Sequence, residues 1–557
     1  MTPPSPYDGN TLRFWARSAQ NADPAKPGRN NATAATARRL ALAGLYARWL
    51  ESPGSALQLK NVLLFFVSIV FSILVAEAAV RYLDGYPMFR VPLGNSQGSP
   101  TVSSEILDKM PLAAGVDQRW FYGDPPTLPN RREAPEDWWR LYRSIQNNNV
   151  GGMEFRPPDV FKAWNSAFVG ADPCKHKFLR HAPGMLYLYD PPDGQPTPPY
   201  RYLPNATLPN GLVTNQMGWR GAPIEDPRGD KTVRIVFVGS STTMGMPHLP
   251  TSYPELVGYW LNRWATAKGL PVHFEVLNTG RESIVSTDTA AVIRNEVVPL
   301  RPDLVIYYEG GNQFYPNSIV EEVTKRPANP LLPPENASAV WLQTASQYSA
   351  LMARVRAIIA LAGSSQDGRE WPKPPYTVNW PGGLDEQNPD LDHPELPVSL
   401  NVIQHDLKQI RGDLAKVGSD FALSSFLWMV KDGMVLDPIR HKYILEQLNV
   451  GYYPIRYGLM ERLAQFQNRL LAKYAKAHGI LFIDAARYMP LDPDLFIDAV
   501  HTTFAGMRLQ AWIVFNLLLP TVEKHLADHS WPRPRDPSAP AMPTITARKI
   551  TFDCSKP

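Results

Sequence analysis

Cysteine is almost missing from these 557 residues: there are two, Cys174 and Cys554. That excludes a small domain stapled by several disulfides and a four-thiolate zinc ribbon. A strong excess of charge of one sign is missing too, the formal net charge being +4. No basic stripe with interleaved aromatics occurs, so nucleic acid is not expected as a partner. No internal repeat is evident, which excludes solenoids and propellers. Long apolar runs are absent everywhere except once.

That exception is LKNVLLFFVSIVFSILVAEAAVRYL, uncharged from Val62 to Ala76 and continuing to Val80 with only Glu77. Nineteen helical residues span roughly 28 Å, close to the hydrocarbon thickness of a bilayer. A buried core helix would show a polar face, and this run shows none. Eight Lys or Arg precede Val62 (Arg13, Arg17, Lys26, Arg29, Arg38, Arg39, Arg48 and Lys60) against three acids, Asp8, Asp23 and Glu51. The positive-inside rule keeps that end in the cytoplasm and exports the rest. Ala76-Glu77-Ala78 has the A-x-A form of a signal-peptide cleavage site, but a leader of about sixty residues is far too long for one. The expectation is an uncleaved anchor in the cytoplasmic (inner) membrane, single-pass, with an extracytoplasmic body.

Both cysteines fall on the exported side, where an oxidising compartment permits a disulfide between them. Two unrelated thiols fit the sequence equally well. Cys174, His176 and His181 lie close together, but no second cluster completes a metal site. Neither a metal nor another cofactor is expected.

Proline is abundant, with 56 residues, roughly twice the usual share. Residues 1–58 read as a largely disordered cytoplasmic leader, in which ATARRLALAGLYARWL forms a short amphipathic helix near the membrane surface. Residues 59–81 form the transmembrane helix. Residues 82–230 are a Pro- and Trp-rich exported lead-in, read as wrapping the catalytic body. The catalytic domain spans 231–525 with an insertion at about 321–397, and 526–557 form a tail.

Within 231–525 the pattern is regular. VRIVFVG, HFEVLNTG and DLVIYYEG are short apolar runs rich in β-branched residues, as in strands buried on both faces. DFALSSFLWM and GILFIDA follow in the same style. Between these runs lie SYPELVGYWLNRWATAKG, STDTAAVIRNEVVPL, NVIQHDLKQIRGDLAKVG and RYGLMERLAQFQNRLLAKYAKAHG, all with helical spacing. Five alternations predict an α/β, flavodoxin-like three-layer sandwich with a five-stranded parallel sheet. The insertion carries one helical stretch, SQYSALMARVRAIIALAG, and reads as a lid or binding element.

Functional groups of an open parallel sheet gather at the carboxyl ends of its strands. The first run ends in Gly239-Ser240-Ser241-Thr242, the second in Asn278-Thr279-Gly280, the third in Gly310-Gly311-Asn312-Gln313. After the fifth comes PDLFIDAVHTTFAGM, with Asp498 and His501 three residues apart. These are the parts of an acyl-transfer site. A serine hydroxyl needs a base to take its proton, and His501 is the candidate base, held in its useful tautomer by Asp498. The oxyanion would be met by the backbone N–H groups of Ser241 and Gly280 and the side-chain amide of Asn312. Ser241 follows the tight turn and is the candidate nucleophile, while Ser240 and Thr242 are expected to cap the next helix.

Taken together these four blocks resemble the SGNH/GDSL hydrolases. Gly239-Ser240-Ser241-Thr242 matches the first block, Asn278-x-Gly280 the second, Gly310-x-Asn312 the third, and Asp498-x-x-His501 with Gly506 the last. The segment TNQMGWRG and an anchor ending in AEAAVRYL resemble the lead-in of membrane-anchored bacterial members. The likeness runs from about Asn215 to Leu519, without the insertion. Departures are Ser240 where the family often has Asp, Ser283 where a second Gly often stands, Gln313 for a common Asp, and Arg281, a cation beside the expected oxyanion donor.

The resemblance implies a serine esterase acting on O-acyl, including O-acetyl, esters of glycans or small molecules through an acyl-enzyme. An O-acyltransferase would use the same residues with a sugar hydroxyl of an exported polysaccharide or envelope glycan as acceptor, and a membrane-bound protein as acyl donor. A non-catalytic glycan-binding protein is the third reading, with its tryptophans stacked on sugar rings.

Overall fold

A computed structural model describes residues 55–84, 102–134, 211–245, 251–316, 348–362, 368–438 and 440–536, with short pieces between them such as 201–202, 204–207 and 319–320. Cys174, Cys554, His176, His181, the leader helix and most of the lead-in from 135 to 200 lie outside the described residues. The chain divides into two units, Met1–Ala76 and Glu77–Pro557.

Helix α1 spans Ser55–Leu83. Its stretch Lys60–Leu83 is long and apolar enough to cross a membrane, and its Val, Leu, Ile and Phe side chains from Val62 to Val75 are exposed. Glu77, the one acid in the run, accepts from the N–H groups of Ala350 and Leu351, both at 2.9 Å, and from Ser349 Oγ at 2.7 Å. A carboxylate at these free N–H groups caps the start of α5 (Ala350–Ala362), where the helix dipole favours negative charge.

The main unit is built on five strands: β1 (Thr232–Gly239), β2 (His273–Asn278), β3 (Leu304–Tyr308), β4 (Asp420–Ser424) and β5 (Leu481–Ile483). All pair in parallel, in the order β2-β1-β3-β4-β5. The expected flavodoxin-like sheet is therefore present. Every residue of β1 and β3 is buried, which is why these runs read as continuously apolar rather than alternating.

Topology dictates where the helices go. The chain steps from β1 to β2 one way, then returns past β1 to β3, β4 and β5 the other way. Right-handed crossovers put α3 (Tyr253–Ala267) on one face and α4 (Ser286–Val292), α6 (Leu400–Ala415) and α7 (Tyr457–His478) on the other. Packing agrees: α4 lies against α6, and the last helix, α8 (Phe504–Ala527), lies against α3. Trp260 and Trp512 meet edge-to-face at 5.0 Å in that second contact.

Two details differ from the sequence expectation. The helix after β2 leaves α-geometry at Ile293, widening and then tightening before Pro299 and Leu300, because proline cannot continue the ladder. The run DFALSSFLWM is strand only to Ser424, and from Ser425 it turns over the sheet edge, Ser425 Oγ accepting from the Ala486 N–H at 2.8 Å. From Gly368 on, the insertion lies on the body: Trp371 is buried in the main core and Trp380 packs on Phe466 at 5.1 Å.

The TNQMGWRG segment acts as a brace beneath the turn that follows β1. Asn215 Oδ1 accepts from the N–H groups of Met217 and Trp219, at 3.0 and 3.1 Å, and turns the chain so that Trp219 and Arg220 enter the core. Trp219 Nε1 donates to Glu296 at 2.9 Å. Arg220 pairs with Glu255 at 3.3 Å and reaches the Gly245 carbonyl at 3.3 Å.

Candidate active site

The strand order reverses between β1 and β3, and a crevice at such a switch point is where open α/β sheets place their sites. β1 ends at Gly239, where a Cβ would collide with the Tyr308 carbonyl of β3 and with Thr243 Oγ1. Only glycine lets the chain turn there so close to its neighbour. The turn leads into a single helical turn, α2 (Ser241–Met244). Ser241 is its first residue, so its N–H has no acceptor within the helix.

Ser241, His501 and Asp498 stand in one hydrogen-bonded chain. His501 Nε2 is 2.9 Å from Ser241 Oγ, and His501 Nδ1 is 2.8 Å from Asp498 Oδ2. Because a carboxylate only accepts, the imidazole proton sits on Nδ1 and the Nε2 lone pair faces the serine hydroxyl. Asp498 Oδ1 also accepts from the N–H groups of Val500 and His501, at 2.9 and 2.8 Å. Burial pushes the Asp498 carboxyl up, but the His501 charge and these hydrogen bonds outweigh it and hold the group below its ordinary value. Thr503 caps α8 just beyond, accepting from the Gly506 N–H at 3.2 Å, and a Cβ on Gly506 would collide with the Leu495 carbonyl. The Asp-x-x-His loop is thereby pinned to a helix start.

The three expected oxyanion donors fare differently. Asn312 lies on the loop after β3, half-buried, and one amide hydrogen is donated to the Ile284 carbonyl at 2.8 Å. Among the described residues, its second amide hydrogen has no acceptor. Gly280 is turned away: its N–H is committed to Asn278 Oδ1 at 3.0 Å, and a Cβ there would collide with the Met244 backbone. Its place is to let β2 close against α2. Three residues further on, Ser283 is exposed in the left-handed region at φ 60°, beside the Ile284 carbonyl that anchors Asn312.

Other sequence departures also find structural roles. Arg281 is buried and paired with buried Glu296, so it is no cation beside an oxyanion donor. Gln313 is buried, accepting from the Ser286 N–H at 2.7 Å and donating to Ser286 Oγ at 2.9 Å. Ser240 forms no cap hydrogen bond, and buried Thr242 Oγ1 has no partner among the described residues; the expectation that they cap α2 is corrected. Thr243 instead donates to the Tyr308 carbonyl at 2.9 Å.

Two contributors went unrecognised in the sequence. Asn278 Nδ2 donates to the Thr243 carbonyl at 2.9 Å and to Ser252 Oγ at 3.0 Å, clamping α2 from below. Glu309, the last residue of the apolar run before Gly310, is 1% exposed. An acid ending a fully buried strand was the available signal.

No family model and no curated protein matches the chain. Among solved structures, the chain is similar to a GDSL-like lipase from Bacteroides thetaiotaomicron, at 14% identity, 52% of this chain, 88% of that one and a TM-score of 0.25. It is also similar to a lipase/acylhydrolase from Enterococcus faecalis, at 14% identity, 52% and 96% coverage and a TM-score of 0.26. An acetylxylan esterase from Geobacillus stearothermophilus gives 14% identity, 52% and 96% coverage and a TM-score of 0.28. At scores this low the likenesses carry no weight about chemistry, which is read from this chain's own side chains.

Proposed function

We propose that this chain is an SGNH-type serine esterase, anchored through α1 with its catalytic body outside the cytoplasmic membrane, that cleaves O-acyl esters through an acyl-enzyme. The observation that carries the reading is the 2.9 Å contact between His501 Nε2 and Ser241 Oγ, with Asp498 holding the far side of the ring at 2.8 Å. In the first step His501 takes the hydroxyl proton while Ser241 Oγ bonds the ester carbonyl carbon, and the carbonyl oxygen takes the negative charge. His501 returns that proton to the leaving alcohol. Water, deprotonated by His501, then attacks the acyl-serine, and the acid leaves with Ser241 restored.

The oxyanion is met by the Ser241 N–H and the second Asn312 amide hydrogen, in place of the expected Gly280 N–H. The Ser283 N–H, exposed on the loop that anchors Asn312, completes the set. Such fixed donors cost no reorganisation as charge develops.

The test is hydrolysis of p-nitrophenyl acetate and of an acetylated xylan by the full-length protein in detergent, beside Ser241→Ala and His501→Ala. Turnover lost in both variants supports the reading. Turnover equal to wild type in either removes that residue from the chemistry. Adding a free oligosaccharide as acceptor separates the two esters' fates: acyl groups appearing on the sugar rather than as free acid make the protein an acyltransferase.

A further inference from the structure

The serine esterase reading leaves one buried carboxyl at the switch point without a task. Glu309 directly follows β3, and its Oε1 accepts from the Asn312 N–H at 3.0 Å. The N–H groups of Gly310 and Gly311 and the Ser240 hydroxyl lie close enough to favour its charged form. Oε2 is buried without a well-formed partner. One carboxyl therefore touches both halves of the proposed centre: the residue before the nucleophile on β1, and the backbone of the oxyanion residue on β3.

We propose that Glu309 is a positioning residue, whose ionised carboxylate draws the Ser240–Ser241 turn and the Gly310–Asn312 loop into register across the β1/β3 seam. The inference rests on the esterase reading. A carboxylate offers about four lone-pair sites, enough for three N–H groups and a hydroxyl, whereas a protonated carboxyl must itself donate one hydrogen. Oε2 has no hydrogen-bond partner among the described residues, so a protonated carboxyl would have to reorient toward the Ser240 hydroxyl to donate that hydrogen. Protonation thus loosens the joint and ionisation tightens it.

The surroundings set when that happens. Burial pushes the Glu309 carboxyl up to about 7, against the opposing pull of Ser240 and the three N–H groups. Tyr307 and Tyr308 on the same strand are buried and neutral, their own values raised. Asp406 of α6 bears on Tyr307, and His501 stands beyond Ser241. Glu309 therefore changes protonation near neutral pH, within reach of a rate profile.

The experiment is the pH profile of kcat/KM for p-nitrophenyl acetate with the full-length protein in detergent, for wild type, Glu309→Gln and Ser240→Ala. Wild type is expected to lose rate as Glu309 takes up its proton below about pH 7. Glu309→Gln should lower kcat roughly tenfold through misplaced groups, leave KM within about twofold, and change the acid limb by the loss of the Glu309 contribution. Ser240→Ala, which removes a neighbour favouring the charged form, should move the limb to higher pH. Where Glu309→Gln does not fold, the shift in Ser240→Ala decides the matter. Wild-type slope and rate in every folded variant would overturn the inference while leaving the esterase standing. An inactive wild type would instead sink the esterase reading itself.

Discussion

Asn278 holds the carbonyl of Thr243 at 2.9 Å from the end of the neighbouring strand. The same side chain accepts the Gly280 N–H at 3.0 Å and reaches Ser252 Oγ at 3.0 Å. One buried amide thus fixes the short helix that presents Ser241, the loop after β2 and the approach to α3. Its Oδ1 and Nδ2 are both satisfied, as a buried amide requires. Asn278→Ala leaves a donor and acceptors unpaired, so unfolding free energy should drop by about 2–3 kcal/mol. Thermal melts of the full-length protein check this, and an unchanged melting temperature would contradict the clamp.

Asn312→Ala removes an amide proposed to meet the oxyanion. The expected loss is about 3 kcal/mol of transition-state stabilisation, on the order of a hundredfold in kcat. Steady-state kinetics at saturating substrate measures it. The melting temperature should move little, since the loop keeps its backbone bond to Glu309. A rate within twofold of wild type would remove Asn312 from the chemistry.

These two asparagines mark the divide between what was legible in the residue order and what was not. The strands β1 and β3 are buried along their whole length, so their largely apolar runs stand out unaided. Ser241, Asn312, Asp498 and His501 follow strands, where parallel sheets gather functional groups, and position alone singled them out. The roles of Asn278, Glu309 and Arg281 depend on which strand lies beside which. Glu309 matters because β3 pairs with β1, some seventy positions earlier, and no local pattern carries that information. The closeness of Gly280 to the Met244 backbone likewise exists only once β2 lies against β1.

Arg281 and Glu296 form a buried ion pair, with Trp219 Nε1 on the same carboxylate at 2.9 Å. Arg281→Ala leaves a buried carboxylate without its cation and should cost about 3–5 kcal/mol. Chemical denaturation of the folded variant reports it. The ratio of rates on acetate and butyrate esters should not move, because the guanidinium faces the core rather than substrate.

Glu309 also makes stability depend on pH in a stated direction. Its folded value is raised to about 7 from an ordinary 4.5, so between those limits the folded protein binds the extra proton. Stability contributed by this group is full below pH 4.5, declines as pH rises toward 7, and is level above it. Glu309→Gln should lose that decline, and melting temperatures at pH 5 and pH 7.5 for both proteins measure the difference. A wild-type decline retained in the variant would assign it to other groups.

The most direct measurement is covalent. The full-length protein in detergent is treated with a fluorophosphonate, digested, and its peptides are weighed, with Ser241→Ala and His501→Ala in parallel. The expected result is a single adduct on Ser241, absent from Ser241→Ala and strongly slowed in His501→Ala. A folded protein that takes no label, or takes it elsewhere at an undiminished rate in both variants, would contradict an activated serine at the end of β1.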